Sequence, residues 1–466
     1  MSRGTQRPRR RTVVAASVAA LALAGGTTAT VTLRDPGPAT SGVVTAAVEV
    51  PDGSGIWDAG TVHDVAVEVD EAAVATMIDT YQESGDKEWI EATATIDGAT
   101  FEQVGLRLKG NSSLRGVTDD ADPAELPWLL RLDEYVDGQQ LDGWTDFVVR
   151  SNNTETALNE AVALDLLAET GLASEHAVAT SFSVNGGEAR LRLVVQALDE
   201  AWERENFSTE GLLYKSEAEG DWSWRGDDPD SYADVFDQET GEEDLTPLIE
   251  LLDLLNNGTD AELEEELPDR LDVEAFARYL AFEELVGNAD DIDGPGNNSY
   301  LRYDAESGGF TVVAWDHNLA FGGLGGPGDG GPGGGPGAFP DGERPEGMPT
   351  DLPEGMPEEL PEGMPTELPE GMEPPAGTAD GERPEGGGMR GGSNVLVERF
   401  TAVEEWADLV EQARADLAAE LYASGLADEV IDRWAALLTD EAGDLVDAAT
   451  VTEEADAIRT VVAEAS

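Results

Sequence analysis

A low-complexity tract over residues 322–393 constrains the fold of this chain more than any other feature. Glycine, proline and glutamate dominate it, and an eight-residue repeat (PEGMPTDL, PEGMPEEL, PEGMPTEL) runs onward from Pro345. Because this composition offers too little apolar surface to offset the entropy of ordering the chain, we expect the tract to be disordered or extended. The tract is therefore either an insertion within one domain or a linker to a separate helical part. Folded structure has to come from the sequence on either side.

The sequence flanking the tract has the periodicities of helices and strands. Apolar residues alternate with polar ones in 62–70 and 92–110, as in half-buried strands, and they recur with helical spacing in 154–171. This mixture predicts an α+β fold. The other predicted strands are at 146–150, 177–184, 189–197 and in a hairpin at 299–316, and the other predicted helices are at 71–83, 245–258, 273–288, 395–422 and 426–448.

Charge and composition exclude several kinds of partner and site. The 466-residue chain has 98 acidic and 27 basic residues, which gives a formal net charge of −71. Such a chain has little to neutralise phosphates with, which argues against a nucleic-acid partner and against docking on anionic lipid. It contains no cysteine and only three histidines, so thiolate sites are excluded and histidine-rich metal sites are disfavoured. Any metal is expected to be a hard, oxygen-ligated cation such as Mg²⁺, Mn²⁺ or Ca²⁺.

The first 33 residues have the organisation of a signal peptide. A basic segment, RPRRR (7–11), precedes an apolar stretch at 12–26 that is short for a membrane span, and small residues follow it. We therefore expect an exported protein that is secreted or associated with the cell envelope, with no membrane contact beyond an uncleaved signal anchor. Adjacent arginines loosely fit a twin-arginine signal, and they also occur in ordinary signal peptides.

Acidic and amide side chains cluster around the predicted 299–316 hairpin. Asp290 and Asp293 precede the hairpin, Asn298 lies at its start, and Asp316 ends it. A hairpin returns its two ends to the same place, so Asn298 and Asp316 are expected to lie near each other. Aspartate and asparagine favour turns, and they equally suit a metal or phosphate site at a strand end. The five-residue interval from Asp293 to Asn298, followed by Asp316 and a distal Phe-Gly, is typical of a protein-kinase catalytic loop and metal-binding aspartate.

Six segments of the chain occur in the order seen in one protein family. They are VGLRLKGNSSLRG (104–116), LPWLLRLDEYVDGQQLDGW (126–144), NEAVALDLLAETGL (159–172), GLLYKSE (211–217), GNADDIDGPGNNSYLRY (287–303) and VVAWDHNLAFGG (312–323). Together they resemble the CotH kinase family, the atypical protein kinases similar to spore coat protein H. The LKGNSS and WD-x-[DN]-x-x-FG elements are the most specific. The segment 394–450 resembles the helical end of the family's secreted bacterial members.

The resemblance implies a divergent protein-kinase-like fold that binds ATP with Mg²⁺ or Mn²⁺. The implied activity is phosphorylation of Ser or Thr in exported proteins of the envelope or the extracellular space. By position, Asp316 and Asn298 would hold the metal, and Asp290 would be the catalytic aspartate. Asp293 competes with Asp290 for that role because it has the kinase-like interval to Asn298.

The resemblance also implies a set of nucleotide-binding residues. Glu160 would be the counterpart of the helix-C glutamate of kinases, and Lys109, Asn111 and Ser112 would lie near the phosphates. The family has a lysine in the strand that reads Leu126–Arg131 here, and this chain has none there. Arg131 or Lys109 would have to pair with a phosphate instead.

Two other classes of function compete with the kinase reading. The missing lysine favours a catalytically impaired, kinase-like binding or structural module of the envelope or matrix. A hydrolase that uses paired carboxylates on envelope polysaccharide is the third class. It predicts aromatic sugar platforms near the acids, which this region lacks apart from Trp315.

The predicted organisation combines these features in one domain with a long insertion. It comprises a signal peptide at 1–33, a flexible linker at 34–60, a kinase-like domain at 61–323, the low-complexity insertion at 324–393, a helical C-terminal part of the same domain at 394–450 and a tail at 451–466.

Overall fold

The structure is a computed structural model that describes residues 55–114, 117–118, 121–217, 220–294, 298–322 and 394–465. The predicted signal peptide and the predicted low-complexity insertion lie outside the described residues. Within the described ranges the chain forms both sheets and helices, which confirms the α+β prediction. None of the helices in this described part combines the length and the apolar composition needed to cross a membrane.

Seven strands close into a barrel in the N-terminal half of the chain. The order around the barrel is β1-β2-β3-β4-β5-β7-β6, and β6 closes it by pairing parallel to β1. Side chains alternate along each strand, so that Val65 and Val67 of β1 point into a buried apolar interior that also holds Phe147 and Phe182. The strands are β1 (His63–Val69), β2 (Ile90–Ile96), β3 (Ala99–Leu108), β4 (Trp128–Arg131), β5 (Asp146–Val149), β6 (Ala177–Val184) and β7 (Arg190–Gln196).

A second, four-stranded sheet packs against the outside of the barrel. It contains β8 (Gly211–Ser216), β9 (Phe236–Thr240), β10 (Ser299–Asp304) and β11 (Phe310–Ala314) in the antiparallel order β11-β10-β8-β9. The outer faces of β4 and β5 contribute Leu129 and Val148 to the contact, and the sheet contributes Leu213, Tyr300 and Trp315. The predicted hairpin at 299–316 is β10 and β11, with Ser299 opposite Ala314.

Helices complete the fold around a buried central helix, α2. The residues of α2 are buried on nearly every side, as expected of a helix that is apolar all round. Side chains on both sides of the low-complexity tract share its core, and Phe400 packs on Phe276 with ring centroids 4.8 Å apart. The helices are α1 (Glu71–Ser84), α2 (Leu158–Glu169), α3 (Glu200–Asn206), α4 (Thr246–Asn257), α5 (Asp260–Glu266), α6 (Val273–Val286), α7 (Val395–Thr401), α8 (Glu404–Leu417), α9 (Leu426–Glu441) and α10 (Ala448–Ala465).

Two predicted boundaries are wrong. The segment 451–466 was expected to be a tail, but its described residues belong to α10, which buries Val451, Ala455, Ile458 and Val462. These positions have helical spacing, and Glu453 and Asp456 between them are exposed. The predicted linker at 34–60 ends too late, because Ile56 and Trp57 are already buried against the barrel.

Candidate active site

A large cleft lies where the barrel meets the second sheet. It has a volume of about 680 Å³ and is lined from β3, β5, α2, β8, β9 and the ends of β10 and β11. All three lysines of the chain, Lys87, Lys109 and Lys215, line this cleft. Arg107 and Arg150 join them. Six carboxylates line the same cleft, so the site presents charges of both signs. The cations suit an anionic ligand, and the carboxylates suit a metal cation bound with it.

The structure brings most of the predicted site residues into this one cleft. The residues that line it are Lys109, Asn111, Glu160, Asp290, Asn298 and Asp316. Ser112 begins a short 3₁₀ turn, Ser112–Leu114, directly after Asn111. Arg131 and Asp293 are not among the lining residues.

Asp316 has an unusual backbone conformation at the end of β11. Its φ of 68° lies in the left-handed region, which is costly for a residue with a side chain and is concentrated at functional sites. The turn that follows is held from α2, where Asn159 Nδ2 donates to the Asn318 carbonyl at 2.6 Å. Asn153 Nδ2 donates to the same oxygen at 3.4 Å. The aspartate carboxylate is thereby fixed at the cleft by contacts from another element.

Arg150 connects two of the predicted residues, although it was not itself among them. Its Nη2 lies 2.5 Å from Glu160 Oε1, and its Nη1 lies 3.1 Å from Asp316 Oδ1. Burial lowers the pKa of Arg150, but Asp316 and Glu160 together outweigh burial and raise it above its ordinary value. The guanidinium also lies over the Trp315 ring, 4.9 Å from its centroid. A signal was present, because Arg150 directly follows the apolar strand that leads into the helix of Glu160.

Lys109 lies next to this ion pair at the end of β3. Its Nζ is 5.5 Å from the centroid of the Trp315 ring. Burial, and secondarily the charge of Lys215, lower the pKa of Lys109 to about 8. A desolvated ammonium that is close to losing its proton has much to gain from an anion. Lys109 is therefore suited to bind a phosphate or a carboxylate.

Arg131, one of the two residues expected to pair with a phosphate, is engaged with the neighbouring strand β5. Its guanidinium makes a two-pronged contact with Asp146, with Nη2 2.6 Å from Oδ2 and Nε 3.0 Å from Oδ1. It also lies 5.1 Å from the centroid of the Trp89 ring. Arg131 sits on the same face of the barrel as the cleft, but its charge is already neutralised by Asp146.

Asp290 and Asp293 have different surroundings. Asp290 lines the cleft, and its backbone N–H donates to Asn288 Oδ1 at 3.4 Å. Asp293 Oδ1 accepts a hydrogen bond of 2.7 Å from the backbone N–H of Asn394, the first described residue after the tract. The geometry therefore favours Asp290 as the residue that faces a ligand, and it gives Asp293 a part in joining the two portions of the chain.

A buried set of ionisable groups lies beneath the cleft. His317 Nε2 is 3.1 Å from Glu283 Oε1; burial lowers the pKa of His317, but Glu283 outweighs it and raises the pKa to about 9. Burial raises the pKa of Glu175 to about 8, and neither of its carboxyl oxygens has a hydrogen-bond partner in the described part of the chain. These groups are close to the cleft residues, since His317 follows Asp316 directly and the charge of Glu175 acts on Arg150.

Asp316 and Asn298 are the residues best suited to hold a metal ion. Both present hard oxygen atoms to the cleft, and Asp316 Oδ1 lies 3.1 Å from Arg150 Nη1 in an ion pair that lacks hydrogen-bond geometry. Over these same residues no group of three or more His, Cys, Asp or Glu side chains is arranged to hold a metal. Magnesium in phosphate-transfer sites is commonly bound by one or two carboxylates with substrate phosphates and water. The donor set fits such an ion.

Comparison with known proteins bears on this site. A family model described as CotH kinase protein matches residues 106–457. The match begins in β3, ends in α10 and contains every residue discussed above for the cleft apart from Lys87. A search of curated proteins finds no match.

Proposed function

The chain belongs to the CotH kinase family, and from this premise we propose that it transfers a phosphoryl group from ATP to a Ser or Thr hydroxyl of an exported protein. The proposed fold is a divergent protein-kinase-like one, with the barrel and the second sheet on the two sides of the nucleotide cleft. The proposed location, secreted or at the cell envelope, rests on the signal-like composition of residues 1–33.

The observation that carries the proposal is the double ion pair of Arg150. Protein kinases require a strand cation paired with a glutamate of the following helix, together with a metal-binding aspartate. Here Arg150 follows β5, Glu160 lies on the next helix, and Asp316 completes the set at 3.1 Å from Arg150. Arg150 would therefore supply the cation that the family has as a lysine in the strand Leu126–Arg131.

The cations of the cleft would bind the phosphates of the nucleotide. Lys109 and Arg150 both lie over the Trp315 ring, so both would reach an anion held beside Asp316. Asn111 and Ser112 follow Lys109 and would donate hydrogen bonds to phosphate oxygens. Asp316 and Asn298 would hold Mg²⁺ or Mn²⁺, which neutralises the negative charge of the phosphates when it is bound.

Asp290 would act on the acceptor hydroxyl. It orients the hydroxyl and accepts its proton while the hydroxyl oxygen forms a bond to the γ-phosphorus and the bond from that phosphorus to the bridging oxygen of ADP breaks. The roughly in-line geometry of this reaction needs attacking and leaving groups on opposite sides of the γ-phosphate. Asp290 therefore has to face the phosphates across the cleft from the lysines, and both groups line the same cavity.

The alternatives make different demands on the same cleft. A kinase-like binding module would bind ATP and metal without transfer. A polysaccharide hydrolase would need an aromatic platform, and Trp315, the aromatic residue beside Asp316, is 7% exposed and covered by Lys109 and Arg150. That covered ring disfavours a sugar platform at this position.

The decisive measurement is calorimetric titration of the chain with ATP in the presence of Mg²⁺ or Mn²⁺. We expect metal-dependent binding in the wild-type protein and its loss in Asp316→Asn, which keeps the size of the side chain and removes its charge. Asp290→Asn should retain the binding but abolish phosphoryl transfer to a Ser/Thr peptide library. Asp293→Asn is the matched control on the same loop, and it should retain both.

Absence of binding at millimolar ATP with either metal would overturn the kinase proposal. Binding with no transfer to any peptide, or to the chain itself, would instead favour the binding module. Loss of transfer in Asp293→Asn with normal transfer in Asp290→Asn would exchange the roles of the two aspartates.

A further inference from the structure

The N-terminus of the central helix α2 is capped by threonines that precede it rather than by the residue at the cap position. The residue before the helix, Ala157, has a left-handed φ of 55° and makes no capping hydrogen bond through its side chain. A helix start leaves backbone N–H groups that need a partner, and this start is buried. Thr154 Oγ1 accepts from the Ala157 N–H at 3.0 Å, and Thr156 Oγ1 accepts from the Leu158 N–H at 3.1 Å. The position of Thr156 therefore sets how the helix begins.

Glu454 of the last helix, α10, accepts hydrogen bonds from the segment that leads into α2. Its Oε1 accepts a hydrogen bond of 2.9 Å from the backbone N–H of Glu155. Its Oε2 accepts one of 3.2 Å from the backbone N–H of Thr156 and another from the Thr156 hydroxyl. A single carboxylate therefore fixes two backbone groups and one side chain, and its negative charge suits the positive end of the helix.

The segment that Glu454 holds leads directly to residues that contact the cleft. Asn153 and Asn159 donate hydrogen bonds to the carbonyl of Asn318, in the turn after Asp316. The next residue of α2, Glu160, pairs with Arg150. Any shift of the segment entering α2 would therefore move both the Asn318 turn and the ion pair.

A second contact from the C-terminal helices holds α2 further along. Trp434 Nε1 of α9 donates to Asp165 Oδ2 at 2.5 Å, and Arg433 pairs with the same carboxylate. This contact involves one side chain on one face of α2. The contact of Glu454 differs because it acts on the backbone at the end of the helix that carries Glu160.

We propose that Glu454 is a positioning residue of the cleft, which sets the entry of α2 and thereby the arrangement of Glu160, Arg150 and the Asp316 turn. Through this contact the helical part after the low-complexity tract acts on a nucleotide site built by the part before it. The proposal rests on the proposed function only for its effect on ATP, since the effect on backbone order can be measured without any ligand.

The test compares Glu454→Gln with a matched control, Glu441→Gln, in the full chain. Glu441 of α9 also reaches the N-terminal part, where its Oε2 accepts from the Val62 N–H at 3.0 Å and from the Thr61 hydroxyl at 3.2 Å. These contacts lie just before β1, and Thr61, Val62 and Glu441 are not among the residues that line the cleft. Both substitutions keep the side-chain size and weaken a carboxylate bond to backbone, so they should lower the melting temperature by similar amounts.

Amide hydrogen exchange is the first readout. In Glu454→Gln we expect about tenfold faster exchange at residues 155–156 and faster exchange at 316–322, because a charge-assisted bond to backbone is lost. In Glu441→Gln the change should be confined to residues near 61–62. Unchanged exchange at 316–322 in Glu454→Gln, or the same change in both variants, would overturn the proposal.

Affinity for ATP with Mg²⁺ is the second readout. Glu454→Gln should weaken it about tenfold, Glu441→Gln should leave it unchanged, and Glu454→Asp, which keeps the carboxylate, should restore part of the loss. Wild-type affinity in Glu454→Gln would overturn the positioning role. A wild-type protein that binds no ATP would refute the proposed function, and the exchange at 316–322 would still decide the role of Glu454.

Discussion

The double ion pair of Arg150 predicts a large, non-additive loss of stability when its cation is removed. Replacing Arg150 by Met preserves much of the side-chain volume but leaves Glu160, whose side chain is 3% exposed, without a counter-ion. Breaking a buried pair in this way costs about 3–5 kcal/mol, mostly because a buried charge is left uncompensated. Asp316, at 23% exposure, can recover solvation and should add little to that cost.

Removing the charge of the partner should recover much of the loss. In Arg150→Met/Glu160→Gln no uncompensated charge remains at α2, so the double variant should be more stable than Arg150→Met alone. We expect the summed loss of unfolding free energy in the two single variants to exceed the loss in the double variant by about 2 kcal/mol or more. Residues that contact each other in one network commonly show such coupling. Urea denaturation of the four proteins gives each free energy of unfolding.

An exposed ion pair supplies the control for this cycle. The side chains of Arg459 and Asp432 are 33% and 72% exposed, and such pairs contribute at most about 1 kcal/mol. Additive effects of Arg150→Met and Glu160→Gln, or a loss no larger than that of Arg459→Met, would refute the reasoning that Arg150 holds a buried charge network together.

Three further predictions follow from single residues. Because the pKa of Lys109 is lowered to about 8, affinity for tripolyphosphate should fall as the pH rises from 7 to 9, whereas Lys109→Arg should show a flat profile; calorimetry that finds equal slopes would contradict this assignment. Glu175, whose pKa is raised from 4.5 to about 8, keeps its proton when folded and loses it when unfolded, so stability is lost as the pH rises through that window. Glu175→Gln should remove this loss, which is at most about 5 kcal/mol, and urea denaturation at pH 5 and pH 8 that shows the same difference in both proteins would exclude it. Phe400→Ala removes a fully buried ring that meets Phe276 edge to face and stacks on Trp406. It should cost about 3–5 kcal/mol in a single unfolding transition, and a separate early transition would show that 394–465 folds independently.

The local patterns of the sequence were sufficient for most of the secondary structure. Alternation in 62–70 and 177–184 became β1 and β6 because a strand with one buried face repeats every two residues. The end of the chain was misjudged, because the apolar positions of α10 are small and separated by acidic residues. Burial of Val451 and Ile458 depends on neighbours that are distant in sequence, and the local sequence does not indicate those neighbours.

In the candidate site, too, some features follow from the sequence and others depend on the whole fold. The sequence indicated Asn298 and Asp316 because a hairpin returns its two ends to the same place, and it indicated Asp290 because that residue lies in the loop before the hairpin. All three line the cleft. The parallel pairing of β6 with β1, which closes the barrel, depends on the whole fold.

By itself the sequence determined the elements, the hairpin that gathers the acidic residues and the family to which the chain belongs. Only the tertiary structure decided which cations serve the cleft. In the folded chain Arg131 pairs with Asp146, and Arg150 lies between Glu160 and Asp316. Glu454 contacts the segment before α2. Local periodicity records which face of a segment is buried, whereas a charge pairs with whatever partner the packed fold places within about 4 Å of it.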